Sequence, residues 1–92
     1  MRSAVPDIGI QIDVVEGQVT HHHGIRFAGS RSARPGGAGP ATVSIVVWDA
    51  KSDEFSVSLK EGNTFKVAGQ TWRLDAIHDD GRRWYADLTR IA

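Results

Sequence analysis

The chain has 92 residues, eleven basic and eleven acidic, and no cysteine. That length holds one domain with a modest core, burying roughly 60–65% of the surface the unfolded chain exposes. Balanced charge argues against a nucleic-acid binder, whose affinity comes from neutralising phosphates; the missing cysteines exclude disulfide staples and thiolate metal sites and fit a cytoplasmic location.

Residues 1–7 carry no apolar run, and Gly9, Gln11 and Asp13 interrupt the segment Ile8–Val15. This predicts neither a cleaved signal nor a membrane span. Ile8, Ile10, Ile12 and Val14 alternate with those polar residues as in a half-buried strand, and Glu16-Gly17 ends it. Val19, His21, His23, Ile25 and Phe27 share one face of the following run, which pairs with the first as a hairpin. A bulge at Gly24 would swap the faces beyond it.

Ala28–Ala41 contains four glycines, two prolines and two arginines and no large apolar residue, the composition of a flexible loop. Arg31 and Arg34 are its candidates for meeting an acidic partner or ligand. Thr42–Ala50 is apolar on both faces: Val43, Ile45 and Val47 on one, Val46 and Trp48 on the other. A small domain struggles to cover both faces, so the Val46/Trp48 face is expected to meet a protein partner or a second copy.

Phe55, Val57 and Leu59 alternate with serines in the cleanest period-two pattern of the chain. Turns at Glu61-Gly62-Asn63, Ala68-Gly69-Gln70 and His78–Arg82 separate three further strands. Their expected inward residues are Phe65 and Val67, then Trp72, Leu74 and Ala76, then Trp84, Ala86 and Leu88. No segment keeps a helical period. The expectation is one all-β domain over residues 1–92, an antiparallel sandwich or partly open barrel of about seven strands, with no substantial helix. Trp72 and Trp84 are expected to pack together in its core.

The run Gly62-Asn63-Thr64-Phe65, then Gly69 and Trp72, then Trp84 and Leu88, resembles small actinobacterial, Streptomyces-like domains of unknown function. These read G-[DN]-T-F, then G-x-x-W, then W-x-x-x-L in their C-terminal half. The resemblance covers Leu59–Ile91 and rests on turn glycines and core aromatics. It implies an all-β fold and a high-GC Gram-positive source, and it brings no catalytic residues.

Chemistry has few candidates. In His21-His22-His23, alternation puts His21 and His23 on one side of a strand, where two imidazoles can share a metal. Zinc needs a third or fourth ligand, for which His78 is available only if the fold delivers it. Asp53-Glu54 and Asp79-Asp80 lie in turns, where carboxylates serve local hydrogen bonds. None of the seven serines lies in a nucleophile motif, and Gly36-Gly37-Ala38-Gly39 lacks the lysine of a phosphate loop. Arg82-Arg83-Trp84-Tyr85 pairs cations with aromatics as single-strand binders do, without the basic excess such binding needs. The leading functional expectation is therefore a non-catalytic protein-interaction or self-associating module, with no cofactor. The alternatives are a small-molecule-binding barrel or compact barrel enzyme whose pocket His21, His23 and Trp48 would line, and zinc binding by His21, His23 and His78.

Overall fold

The computed structural model describes residues 8–33, 42–50, 52–79 and 82–92. It contains eight strands: β1 (Gln11–Val15), β2 (Val19–His22), β3 (Ile25–Ala33), β4 (Thr42–Asp49), β5 (Ser52–Leu59), β6 (Thr64–Val67), β7 (Gln70–Asp79) and β8 (Trp84–Arg90). No helix occurs among the described residues, so none is long and apolar enough to cross a membrane. The strands form two antiparallel four-stranded sheets packed face to face. Sheet A has the order β1-β8-β7-β6 and sheet B the order β2-β3-β4-β5. The result is an open sandwich and not a closed barrel.

Alternation decides which side chains enter the space between the sheets. From sheet B come Ile25, Phe27, Val43, Ile45, Val47 and Leu59; from sheet A come Val14, Phe65, Val67, Trp72, Leu74, Trp84, Ala86 and Leu88. Burying each large member contributes about 1.5–3 kcal/mol. Trp72 meets Phe27 edge-on with ring centroids 5.2 Å apart. This departs from the expected tryptophan pair: Trp72 lies across from Arg90 and Trp84 across from Asp79, at opposite ends of the β7–β8 hairpin.

Four further departures come from turns and bulges. The run Val19–Phe27 is two strands, because His23 (φ 48°) and Gly24 (φ 83°) form a two-residue turn with both residues in the left-handed region. His22 and Ile25 are therefore cross-strand partners, and His22 points into the core where His21 and His23 had been expected to share its face. β1 does not pair with β2 but with β8, with Ile12 opposite Leu88 and Val14 opposite Ala86. The chain crosses between sheets at Glu16-Gly17, where Gly17 (φ 79°) donates its N–H to the Gly29 carbonyl at 3.0 Å. β3 runs to Ala33, so the first six residues of the expected loop, Ala28–Ala33, are strand; its remainder, residues 34–41 with Arg34, lies outside the described residues. Finally, the register slips between Leu74 and Ala76, and this bulge turns Ile77 rather than Ala76 toward the core.

The turn after β5 carries the chain back to sheet A. Asn63 caps it by accepting the Lys60 N–H on Oδ1 at 3.0 Å, and the Glu61 carboxylate accepts the Ile77 N–H at 2.8 Å. Gly62 (φ 92°) supplies the left-handed step. The G-N-T-F segment thus works as a turn followed by the core residue Phe65.

Candidate functional site

Three hairpin turns meet at one end of the sandwich: His23-Gly24 of β2–β3, Ala50 after β4, and Ala68-Gly69 of β6–β7. They frame two adjoining concavities that share Gly24, Asp49 and Ala50. The larger, about 520 Å³, is bounded by His23, Ile25, Ala68 and Gln70. The smaller, about 310 Å³, is bounded by His21, Arg26 and Trp48. Both volumes suit a small ligand or an anchoring side chain.

A chain of rings ties this end to the core. His23 meets His22 with centroids 4.4 Å apart, and His22 meets Trp72 edge-on at 5.5 Å. Trp72 donates its indole N–H to the Gln70 side-chain oxygen at 3.1 Å, which orients Gln70 at the rim. The wall of the larger concavity is therefore held by buried aromatics.

The wall of the smaller one belongs to the outer face of sheet B. Arg26 and Trp48 are direct cross-strand partners, and the guanidinium carbon sits 5.7 Å from the indole ring centroid. Such a contact contributes about 0.5–1 kcal/mol at an exposed site. Arg26 has no carboxylate partner among the described residues, and neither does Arg31, which lies opposite Ser44 on the same face. Ala28 and Val46, opposite each other, continue the apolar stripe from Trp48. Val46 and Trp48 are half-buried rather than fully exposed, because neighbouring strands flank them and Arg26 covers the indole.

Three of the sequence's candidates, His21, His23 and Trp48, thus come together with Arg26, Asp49 and Gln70. His78 does not join them. It lies on the outer face of sheet A, where its Nε2 is 2.8 Å from Asp87 Oδ2 and its ring stacks on Tyr85 at 4.6 Å. Among the described residues no three His, Asp or Glu side chains are grouped to hold a metal ion. Sequence reasoning missed Arg26 and Gln70 because their roles depend on cross-strand register, which no local pattern encodes.

The face around His78 is acidic. Asp13 stands directly opposite Asp87. A hydrogen bond to Asp87, partial burial and the charge of Asp87 together raise the Asp13 carboxyl above its usual range, against a smaller opposing effect of His78. Asp75, projected by the β7 bulge, accepts hydrogen bonds from the Thr89 hydroxyl and from Arg73 Nε, and these hold its carboxyl below the usual range. The signs oppose. Asp75 contributes stability above the normal carboxylate range that is lost as pH falls through its depressed value. Asp13 contributes stability at low pH that is lost as pH rises through its elevated value. Asp13→Asn keeps a hydrogen-bonding side chain and removes one of two like charges. We expect it to raise stability at pH 7 by about 0.5 kcal/mol, a modest gain because the site is solvent-screened. Urea titrations at pH 7 and pH 3 check this; the gain should vanish at pH 3, where wild-type Asp13 is already protonated.

A model for a family of unknown function, DUF6406, matches residues 9–92. The chain belongs to the DUF6406 family. Neither the curated proteins nor the solved structures compared with it contain a match. The DUF6406 match covers both sheets, and so includes the hairpin end with His21, His23, Arg26 and Trp48.

Proposed function

We propose that this DUF6406 domain is a non-catalytic recognition module that binds an acidic protein segment across the hairpin end and the outer face of sheet B. The observation that supports this most is Arg26: a guanidinium without a carboxylate partner among the described residues, laid on Trp48 beside His21 at the mouth of a concavity. Arg and Trp are the side chains that most often anchor interfaces, since each combines apolar area with directed polarity. Arg31 extends the positive charge along β3, and the Ala28–Val46–Trp48 stripe supplies apolar contact. Two copies meeting through this face would oppose like charges, which favours a partner of opposite sign over self-pairing here. The cysteine-free chain supports a cytoplasmic setting for this binding. A small-molecule occupant is the second reading, supported by the volume of the larger concavity beside Gln70 and His23.

The test is an NMR titration of the labelled domain with a short polyglutamate peptide, with polylysine of the same length as control. Polyglutamate is expected to shift the Trp48 indole and the amides of His21, Arg26 and Asp49. Added salt should weaken binding, and Arg26→Ala should reduce affinity about tenfold. No shift with polyglutamate, or equal binding by Arg26→Ala, rejects the proposal.

A further inference from the structure

Each sheet has two edges, and three of the four edge strands are short: β1 has five residues, β2 four and β6 four. Short edges are one of the ways in which natural sheets avoid pairing with other chains. β5 differs. It is eight residues long, pairs among the described residues with β4 on one side only, and contains neither proline nor lysine. Half of its backbone N–H and C=O groups face outward in a row that can accept another strand.

The side chains along this edge are also incompletely covered. Ile45 and Val47, the partners of Val57 and Phe55 on β4, are fully buried, whereas Phe55 and Val57 are only half-buried. They border the open side of the sandwich, between β5 and β6. On the outer face, Glu54 and, just after the strand, Lys60 are exposed, and neither side chain has a hydrogen bond or ion pair among the described residues.

We infer that β5 is a self-association edge, pairing antiparallel with β5 of a second copy about a two-fold axis at Val57. In that register Val57 faces Val57, Ser56 faces Ser58, Phe55 faces Leu59, and Glu54 faces Lys60 of the second copy. The two-fold repeats each of these pairs. Apolar residues meet apolar ones on the core side, and opposite charges meet on the outer side. Cross-strand pairs of these kinds stabilise antiparallel sheets. The two copies of sheet B become one continuous sheet, Phe55 and Val57 lose their remaining exposure, and the exposed edge disappears. This edge is separate from the Arg26–Trp48 site.

Light scattering across a dilution series, at low salt, tests the pairing on the full chain. Wild type is expected to approach twice the 10.0 kDa of one chain as concentration rises. Glu54→Lys and Lys60→Glu are both exposed substitutions that leave the core intact. Each alone sets like charges opposite and should weaken the dimer about tenfold. Mixing the two variants restores both charge pairs in a heterodimer and should recover wild-type affinity. A wild-type protein that stays monomeric to about 1 mM overturns the inference. So do single variants that dimerise as well as wild type, or a mixture that fails to recover.

Discussion

Trp72→Ala is expected to remove about half of the domain's stability at room temperature. The indole is fully buried, meets Phe27 and His22 edge-on, and holds Gln70 through its N–H. Removing a buried tryptophan costs about 3–5 kcal/mol, because the transfer energy is lost and the cavity collapses only in part. A domain of this size has about 5–10 kcal/mol to lose. The substitution also strips the packing that keeps the His22 imidazole in the core and orients the rim at Gln70. Urea denaturation followed by circular dichroism measures the effect. Trp48→Ala is the internal control: that ring is half-buried on the outer face, and its loss should cost no more than about 1 kcal/mol. Equal losses from the two substitutions would show that the core is not organised around Trp72.

Gly29→Ala is the second large effect, and it arises from sterics rather than backbone conformation. A Cβ at Gly29 would lie 2.5 Å from the Val15 carbonyl oxygen, 2.8 Å from its carbon and 2.9 Å from the Glu16 nitrogen. All three are backbone atoms of the crossing between sheets, so no side chain can rotate away. The same residue accepts from Gly17 N–H and donates to the Gln18 carbonyl at 3.2 Å. Relieving the clash means pulling the crossing off β3, at a cost of about 3 kcal/mol. Hydrogen exchange should show the amides of Gly17 and Gly29 losing protection beyond the global change. Gly24→Ala makes the comparison: its added methyl meets open space, and only the φ of +83° is strained, worth about 1 kcal/mol.

Both predictions lie on parts of the fold that were unequally visible in the sequence. Trp72 was legible as a core residue because the first half of β7 alternates, with Leu74 two positions on, and in β8 Trp84, Ala86 and Leu88 face inward as their spacing requires. The same holds for β5 and for the turn at Gly62-Asn63. Gly29 was not legible. It sat in a glycine- and arginine-rich stretch whose composition resembles a loop, and its role exists only because β1 crosses beside β3.

The histidine cluster shows the same divide. Three adjacent histidines invite a metal reading, but a two-residue turn at His23-Gly24 sends His21 outward, His22 into the core and His23 to the rim. His78 takes Asp87 as its partner on the other sheet. Arg26 carries the proposed site because register places it opposite Trp48, twenty-two positions further along the chain.

By itself the sequence determined the all-β class, most strand positions and most core residues, because period-two burial and turn chemistry are local properties read a few residues at a time. Tertiary structure alone decided the pairing of β1 with β8, the β7 bulge that switches side-chain faces, the assembly of the hairpin end and the open β5 edge. Those depend on which distant strands lie side by side, and that is settled by the shared burial of both sheets' apolar faces.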